Sequence, residues 1–322
     1  MQTVGGGIIA DISSGLEPVP VALEYSSQEK LDELQAVHTR YIVHSIIPGR
    51  EDDRACYYDG CDCSSTSATN LCLNESRCGC IAMHGCYYTR TNPPLLTLLL
   101  DLQPSNSPTP PIYECNSSCA CPPTCPNRLV QHGCRVPMRV FHTGTARGWS
   151  VQVMRAVRRG EFVCEYAGEV VRAREIRKRR WGEGSEGTGT GNYVLCLREY
   201  VCVWLLLILY ILEPSENGAQ ALRTNIDPTT TANLGRYINH SCSPNLSLFP
   251  VRVDSVVPLV GMFAYRDIAE GEELGFDYAG VIGYGDEVTP SNGEETENGR
   301  TRCLCNAGAG VCRGWLPFDA RL

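Results

Sequence analysis

Cysteines are the residues of this chain whose number and spacing point most directly to chemistry. The chain has 322 residues and 19 cysteines. Nine of these fall in two clusters: Cys61, Cys63, Cys72, Cys78, Cys80, Cys115, Cys119, Cys121 and Cys125. Thiolate sulfur is a preferred ligand of Zn²⁺, which takes four ligands in tetrahedral sites. Nine thiolates satisfy three zinc ions when three sulfurs each bridge two metals. The spacing therefore predicts a three-zinc cluster, with buried or disulfide-bonded cysteines as the alternative.

A second group of cysteines lies near the C-terminus, at Cys303, Cys305 and Cys312. A structural zinc site needs a fourth protein ligand, whereas a site with three protein ligands keeps an open position for catalysis. Cys242 is the best candidate for a fourth ligand because it lies in the other dense polar cluster, RYINHSCSPN (236–245). The spacing by itself is compatible with both kinds of site.

Composition excludes several classes of protein. Hydrophobic residues make up 43% of the chain and charged residues 20%, which is typical of a globular protein and excludes wholesale disorder. The net charge of −8 is opposite to that of a generic nucleic-acid coat protein. The first residues, MQTVGGGIIADISSGLEP, lack the pattern of a secretory signal. We therefore expect a reducing compartment, in which clustered cysteines bind metal more often than they form disulfides.

One apolar stretch, YVCVWLLLILYIL (200–212), raises the question of a membrane. Its 13 residues are fewer than the roughly 20 that a membrane-spanning helix needs. We expect one or two buried strands or a core-facing segment here, and no membrane partner. Membrane association and an error in the gene model are the alternatives.

The centre of the chain has the pattern of short strands. Segments rich in β-branched and aromatic residues predict strands at 149–157, 161–171, 192–197 and 261–268. A helix is predicted at 171–181, VRAREIRKRRW, whose six cations are typical of a solvated face, with nucleic-acid contact as the alternative. Residues 90–111 and 283–300 have the composition of linkers.

Five motifs in order resemble the SET-domain protein lysine methyltransferases. They are GWSV (148–151), EYAGEV (165–170), RYINHSCSPN (236–245), ELGFDYAG (273–280) and CLCNAGAGVCRGWL (303–316). PIYECNSSCACPPTCPNRLVQHG (111–133) is similar to the pre-SET region of the heterochromatin class, which methylates lysine 9 of histone H3. GLEPVPV (15–21) also resembles the stretch before pre-SET modules, and the likeness covers roughly residues 56–316.

The resemblance implies a mainly β architecture. The SET fold consists of short curved sheets with a knot-like threading, here flanked by a zinc-cluster pre-SET module and a zinc-binding post-SET tail. We divide the chain into an N-terminal extension, a pre-SET module, a SET domain with an atypical apolar insertion at about 199–221, an acidic linker and the tail. Their ranges are 1–55, 56–134, 135–280, 281–300 and 301–316. In this family the tail zinc uses Cys242, Cys303, Cys305 and Cys312, which implies four structural zinc ions in total.

The implied reaction transfers a methyl group from S-adenosylmethionine to a lysine amine. The amine must be neutral, although the pKa of free lysine is about 10.4, so the site must be dry and must align the nitrogen with the methyl group. Tyr278 matches the essential tyrosine of the family, and Tyr193 matches a second active-site tyrosine. Phe276 stands where phenylalanine or tyrosine influences the product, which favours di- or trimethyl-lysine.

Cofactor contacts are also implied by the resemblance, residue by residue. The matching positions are Arg147, Gly148, Trp149, Tyr193, Arg236, Asn239, His240, Trp315 and Leu316. Ser150 departs from the usual glycine, and we expect it to tighten the cofactor pocket. Asp277 and Glu169 are expected to be structural hydrogen-bonding residues.

The resemblance implies the histone H3 tail as a partner, which the acidic charge suits because it attracts a basic peptide. Other chromatin-associated proteins are further candidate partners, and no sequence-specific nucleic-acid binding is predicted. The substrate implies location in the nucleus, on the chromosome. A catalytically weak SET protein acting as a chromatin scaffold, and a methyltransferase for a non-histone lysine, are the alternatives. The scaffold alternative stays open because Ser150 and residues 195–222 depart from the usual family pattern.

Overall fold

The computed structural model describes most of the chain in several stretches. These are residues 5–36, 39–48, 59–63, 72, 78–97, 111–181, 193–200, 221–278, 301–305, 307–308 and 310–317. The apolar stretch beyond residue 200, the acidic linker 281–300 and most of the predicted linker 90–111 lie outside the described residues.

The fold is mainly β, as predicted, with fifteen short strands in the described residues. The strands are β1 (Gly5–Ile9), β2 (Val21–Ser27), β3 (Arg40–Tyr41), β4 (Ile112–Tyr113), β5 (Met138–His142), β6 (Trp149–Val153), β7 (Phe162–Glu165), β8 (Glu169–Val171), β9 (Leu195–Tyr200), β10 (Ala221–Asp227), β11 (Thr231–Ala232), β12 (Asn239–His240), β13 (Leu246–Arg252), β14 (Leu259–Ala264) and β15 (Gly275–Phe276). The helices are α1 (Gln28–Ala36), α2 (Gly79–His84), α3 (Ala173–Trp181) and the 3₁₀ helices Val130–His132 and Leu234–Tyr237. None of the helices in the described part of the chain is long and apolar enough to cross a bilayer.

The first four-stranded sheet has the order β1-β2-β5-β6. Strands β2 and β5 run parallel, with Leu23 paired to Val140, and β6 is antiparallel to β5. Alternate residues such as Leu23, Val140 and Val151 are buried because successive side chains of a strand point to opposite faces. Residues 5–27 therefore form part of the same sheet as residues 138–153.

The second four-stranded sheet, in the order β4-β13-β14-β7, is covered on both faces. Every residue of β13 and β14 is buried. Leu248 and Met262 belong to the main core, whereas Phe249 and Phe263 belong to a second cluster with Tyr88. The alternation of side chains along these strands lets one sheet serve two cores.

Three smaller sheets complete the fold. Strands β8, β10 and β9 form an antiparallel sheet in that order, and β3 pairs with β11. Strands β12 and β15 run parallel, with Asn239 opposite Gly275 and His240 opposite Phe276. The C-terminal segment thereby lies beside residues 239–240, as expected for the threaded segments of a SET fold.

The predicted helix and strands are present in the structure, but several begin or end at other residues than predicted. The helix predicted at 171–181 is α3, and β6 ends at Val153. The strand predicted at 161–171 is two strands, β7 and β8. Between them Gly168 packs against β10 so closely that a Cβ atom there would lie 2.7 Å from the carbonyl oxygen of Asp227. The strand predicted at 192–197 runs from Leu195, and the one predicted at 261–268 spans Leu259–Ala264.

A buried carboxylate, that of Glu114, joins the cysteine-rich module to the sheets. It accepts hydrogen bonds from the Tyr88 hydroxyl at 2.8 Å and from the backbone N–H groups of Leu129 and Val130 at 2.9 and 2.7 Å. Charge-assisted bonds of this kind hold the first turn of the 3₁₀ helix against β4.

A second buried carboxylate, that of Glu165, fixes residues 44–45. It accepts the N–H and the hydroxyl of Ser45 at 2.9 and 2.8 Å, and the Nδ1 of His44 at 2.7 Å. The Nε2 of His44 lies 3.1 Å from the carbonyl oxygen of Gln131. Both ring nitrogens therefore face acceptors, which only the imidazolium form satisfies by donating twice.

We predict a pH-dependent contribution of His44 to stability. Burial opposes the charge of His44, but Glu165, with Gln131 and Glu17, raises its pKa above the ordinary value. The stabilisation should be present in full below about pH 6.5 and be lost as the pH rises through the raised pKa. His44→Gln should lower the melting temperature by about 2 °C at pH 6 and by less at pH 9.

Thermal unfolding of both proteins across this pH range measures the difference. His132→Gln is the matched control, since its ring bonds the backbone carbonyl of Pro123. An equal loss at both pH values would contradict the assignment of the imidazolium form.

Candidate active site and metal centres

The short parallel pair β12 and β15 forms the frame of the site. The N–H of Ser241 donates to the carbonyl oxygen of Phe276 at 3.0 Å, which extends the pairing. Gly275 is required here because a Cβ atom would lie 2.8 Å from the Cβ of Ser241. Three predicted site residues, Asn239, His240 and Phe276, lie on these strands, and Tyr278 follows directly.

Tyr278 is held at both ends. Its backbone N–H donates to Nδ1 of His240 at 3.2 Å, and its hydroxyl donates to the carbonyl oxygen of Ile238 at 3.1 Å. Its ring lies 4.8 Å from that of Phe276 and 5.3 Å from that of His240, measured between centroids. Burial raises the pKa of the Tyr278 hydroxyl, so it stays protonated and serves as a donor.

His240 is a neutral imidazole whose tautomer follows from its partners. Burial is the largest cause that lowers its pKa to about 4, against the opposing effect of Asp277. Because Nδ1 accepts the Tyr278 N–H, Nε2 carries the proton and donates to Sγ of Cys242 at 3.2 Å. His240 thus connects the tyrosine backbone to a cysteine of the tail site.

Asn239 joins this frame to the turn before β6. Its Nδ2 donates to the carbonyl oxygen of Trp149 at 3.0 Å. In that turn Gly148 has a φ of 69°, a conformation that favours glycine, and its carbonyl oxygen accepts from the N–H and hydroxyl of Thr143 at 2.9 Å. The backbone at 147–149 is therefore rigid and lies next to the β12 strand.

Glu273 is the anchor of the same turn. Its two carboxylate oxygens accept from Nη1 and Nη2 of Arg147 at 2.8 and 3.0 Å. The hydroxyl of Ser150 donates to Oε1 of Glu273 at 2.5 Å, and Ser150 is completely buried. The departure from glycine at Ser150 thus adds a hydrogen bond to the clamp on Arg147.

Tyr193 contacts two other residues of the candidate site, Arg236 and Tyr166. The guanidinium of Arg236 lies 4.7 Å from the Tyr193 ring centroid, and the Tyr166 hydroxyl donates to the Tyr193 carbonyl oxygen at 2.5 Å. The Tyr166 ring lies 5.9 Å from that of Phe276. Sequence reasoning did not assign Tyr166 to the site, although it lies in the EYAGEV motif.

The nine cysteines predicted as a cluster come together and are all buried. Three overlapping groups of four place their ligand atoms within 4.8 Å of one another: Cys61, Cys115, Cys119 and Cys121; Cys61, Cys72, Cys78 and Cys115; and Cys72, Cys115, Cys121 and Cys125. Each pair of groups shares two cysteines, and Cys115 belongs to all three, so these sulfurs are close enough to be shared between metals. Cys80 joins through Cys119, with 3.5 Å between sulfurs, and burial raises the pKa of Cys63, which interacts with Cys61 and Cys72, to about 12.

The sulfur spacing fits a metal better than disulfides. A tetrahedral zinc with bonds of about 2.3 Å holds its sulfurs roughly 3.8 Å apart, whereas a disulfide bond is about 2.05 Å long. The Sγ atoms of Cys61 and Cys72 are 3.8 Å apart, and those of Cys115 and Cys125 are 3.9 Å apart. The described cysteines are all free thiols, so the donor set suits zinc.

The tail cysteines meet Cys242 as the resemblance implied. Cys242, Cys303, Cys305 and Cys312 form one group within 4.8 Å, with 3.8 Å between the sulfurs of Cys242 and Cys303. The N–H of Arg313 donates to the Cys242 sulfur at 3.4 Å, and the Arg313 guanidinium binds Asp277 at 2.6 Å. Four sulfurs give a closed set that holds the tail beside Tyr278.

Trp315 and Leu316 lie in the tail. The backbone of Trp315 forms an isolated antiparallel β-bridge with that of Arg302, and the N–H of Leu316 donates to the Thr301 carbonyl oxygen at 2.9 Å. Within the described residues, no ring contact or hydrogen bond joins either side chain to the 147–149 turn. The other predicted site residues are linked through contacts to one another.

The arrangement is suited to confining an apolar chain with a polar end. The rings of Tyr166 and Tyr278 lie 5.9 and 4.8 Å from that of Phe276, and the Tyr278 hydroxyl donates to the Ile238 carbonyl oxygen. The turn 147–149, which Glu273 and Asn239 hold in place, lies beside this group. Such a site can orient a donor group and an acceptor group for a displacement reaction.

The comparisons with known proteins agree with this geometry. The family descriptions that match are the SET domain, over residues 148–279, and the Pre-SET motif, over residues 13–128. The chain is 34% identical to Histone-lysine N-methyltransferase SETMAR of Bos taurus over 97% of this chain and 90% of that protein.

Solved structures give the same likeness. The methyltransferase domain of human Histone-lysine N-methyltransferase SETMAR matches with a TM-score of 0.67 and 29% identity, over 97% of this chain and 98% of that one. Arabidopsis thaliana SUVH6, solved in complex with SAM, matches with a TM-score of 0.63 and 28% identity, over 97% of this chain and 56% of that one.

We predict that Ser150 and Arg147 stabilise the turn through the same carboxylate. Glu273→Gln should lower the free energy of unfolding by about 1–2 kcal/mol because it removes a charge-assisted bidentate pair. Ser150→Ala should cost about 1 kcal/mol by itself and less in the Glu273→Gln background, since contacting residues are not additive.

Chemical denaturation of the two single variants and the double variant measures this coupling. Glu33→Gln is the matched control, because Glu33 forms an exposed i,i+3 pair with Lys30 and should change stability by well under 1 kcal/mol. Strict additivity of Ser150→Ala and Glu273→Gln would show that the two side chains act independently.

Proposed function

We propose that this chain, which belongs to the SET-domain histone-lysine methyltransferases and carries a Pre-SET module, methylates lysine 9 of histone H3 with S-adenosylmethionine as the methyl donor. The observation that carries the proposal is the position of Tyr278, whose hydroxyl and ring close a small aromatic site beside the 147–149 turn. The choice of lysine 9 is supported by residues 111–133, which are similar to the pre-SET region of the class with that specificity.

The cofactor site that we propose is built around the turn 147–149. S-adenosylmethionine supplies an electrophilic methyl group on a sulfonium. The backbone of Arg147, Gly148 and Trp149 would bind the cofactor, since this turn is held rigid by Glu273 and Asn239. The remaining residues proposed to contact it are Tyr193, Arg236, Asn239, His240, Trp315 and Leu316. A SAM-bound neighbour, SUVH6, supports this choice of cofactor.

The lysine amine must lose its proton and point at the methyl group. Burial among aromatic rings disfavours the ammonium form, and a nearby sulfonium adds repulsion between like charges. The Tyr278 hydroxyl and the Ile238 carbonyl oxygen, 3.1 Å apart, would orient the nitrogen. Tyr193 would form a second wall, held by its contact with Arg236.

Zinc is proposed to have a structural role only. Nine thiolates would hold three zinc ions, and Cys242, Cys303, Cys305 and Cys312 would hold a fourth, about four per chain. Each set saturates its metal with protein ligands, so none keeps a position for substrate. The tail zinc would hold Cys242, and through it His240, in place.

The histone H3 tail is the proposed peptide substrate. The chain is acidic, and the outer edge of β9 carries strand hydrogen-bonding groups next to Tyr193, to which an extended peptide could be added. Methylation of a histone would place the protein in the nucleus, on the chromosome. Chromatin-associated proteins are further proposed partners.

The test is transfer of labelled methyl groups to histone H3 by the purified full chain. The wild-type protein should transfer label to histone H3, but not to histone H3 in which lysine 9 is replaced by arginine. Tyr278→Phe should reduce the rate by at least about 10²–10³-fold, because it removes one positioned donor. Elemental analysis should find about four zinc ions per chain in both proteins.

Three outcomes would contradict parts of the proposal. Absence of transfer at high enzyme concentration would reject the activity. Transfer that survives the replacement of lysine 9 would reject the target residue. Unchanged activity in Tyr278→Phe with normal zinc content would reject the role of the hydroxyl.

A separate prediction concerns the product. Phe276 is buried, with its ring 4.8 Å from Tyr278 and 5.9 Å from Tyr166, and it has no hydroxyl to hold a water molecule. The wild type should therefore produce di- or trimethyl-lysine. Phe276→Tyr should shift the product to monomethyl-lysine, as measured by mass spectrometry of the product peptide under excess cofactor.

Phe249→Tyr, buried on β13 in the second core cluster, is the matched control and should leave the product distribution unchanged. Monomethyl-lysine as the sole product of the wild type would contradict the assignment of Phe276.

A further inference from the structure

Helix α3 concentrates positive charge in an acidic protein. The chain has 36 Asp and Glu residues against 28 Lys and Arg, yet six of these cations lie within residues 172–180. Glu175 is the one carboxylate among them. Such a density on a short helix gives a local field opposite in sign to that of the whole chain.

The helix is fixed by an apolar face. Ile176 is buried with Val171, and Val194 and Cys196 pack against this pair. Val194 follows Tyr193 directly, so α3 lies against the strand that leads from the candidate active site. With a helix diameter of about 10–12 Å, the outer face of α3 lies about one helix width from Val194, next to the exposed Tyr193.

The charges of α3 divide into a paired and an open set. The guanidinium of Arg179 binds Asp227 at 2.8 Å, Glu169 at 3.0 Å and Glu175 at 3.2 Å. This arrangement uses the Glu175 carboxylate and fastens the helix to the sheet. Arg179 therefore has a structural role, and it holds one carboxylate oxygen of Glu175.

The open set consists of Arg172, Arg174 and Lys178, which are exposed. Arg174 and Lys178 are four residues apart and lie on the same side of the helix. Together with Glu175 these residues line an open depression. Within the described residues, none of the three forms an ion pair, so each is available to an external anion.

We propose that this face of α3 binds the phosphate backbone of duplex DNA without reading its sequence. Duplex DNA presents a phosphate charge about every 1.7 Å along its axis, which a row of three cations can contact at several points. Guanidinium groups match phosphate oxygens in bidentate geometry, and two of the three cations are arginines. Backbone contacts fix orientation but carry no base information.

DNA bound to this face of α3 would help to bring the substrate to the candidate active site. A histone tail in a nucleosome reaches the enzyme together with the DNA wrapped around the same particle. DNA held on α3 would bring the tail to the opening near Tyr193. This use depends on the proposed function, whereas DNA binding itself does not.

The test is binding of a fluorescent 30-base-pair duplex by the full chain, followed by anisotropy at several salt concentrations without cofactor. The triple variant Arg172→Gln, Arg174→Gln, Lys178→Gln should reduce the slope of log affinity against log salt by about 2–3, roughly 0.9 for each lost phosphate contact. The matched control Lys30→Gln, Arg139→Gln, Arg266→Gln removes the same charge elsewhere and should retain most of the slope.

Zinc content and circular dichroism should be unchanged in both variants, because the paired Arg179 is intact. Equal binding by the α3 variant and wild type would overturn the proposal, as would an equal loss in the control. A wild type that binds an acidic polypeptide but not the duplex would assign the face to a protein partner instead.

A second measurement separates this proposal from the proposed function. The α3 variant should methylate a free H3 peptide at the wild-type rate and a nucleosome about 5–10-fold more slowly, the effect expected from loss of DNA contacts alone. If no peptide is methylated by any protein, the activity is rejected while the binding result still decides the DNA proposal. An equal loss on peptide and nucleosome would overturn the role of α3 in substrate capture.

Discussion

The hydrogen bonds of one neutral imidazole, that of His240, are the constraint on which the site depends. The ring accepts the backbone N–H of Tyr278 at one nitrogen and donates to the sulfur of Cys242 at the other. It can do both only while uncharged, and its burial keeps it so. A metal bound to Cys242 would therefore fix the ring, and the ring in turn fixes the tyrosine backbone. This is why a tail far along the chain can determine geometry within the SET domain.

The buried clusters elsewhere in the fold are of two kinds, apolar cores and a cysteine cluster. The sheets around β13 and β14 bury alternating aliphatic and aromatic side chains, and this gives two conventional cores. The module that contains residues 59–63 and 78–86 instead buries cysteines, whose sulfurs lie at metal-bridging distances. A small module buries too little apolar surface for stability, and zinc bound to these sulfurs would compensate for it. The carboxylate of Glu114 connects the two regions because it accepts hydrogen bonds from Tyr88 on one side and from residues 129–131 on the other.

Sequence reasoning predicted what depends on local pattern and residue type. The strands of the centre and helix α3 follow from periodicity and residue type, whereas the four-cysteine tail group follows from the resemblance to the SET-domain family. It missed features that depend on tertiary contact. The break between β7 and β8 arises from the close packing of Gly168 on β10, and Tyr166 enters the site through a bond to the Tyr193 backbone. The backbone pairing of Trp315 with Arg302 likewise depends on how the tail turns, which the local sequence does not give.

Ser150 stands where the family usually has glycine, and a hydrogen bond accommodates its side chain. A side chain larger than glycine was expected to tighten the cofactor pocket, yet Ser150 is buried and its hydroxyl turns to Glu273. An unpaired buried hydroxyl would be costly, whereas a bond to a carboxylate compensates for its desolvation. Since Glu273 also holds Arg147, the extra donor reinforces the turn that the cofactor is proposed to contact. The departure therefore leaves the turn intact, because the residue that differs is tied into the same clamp.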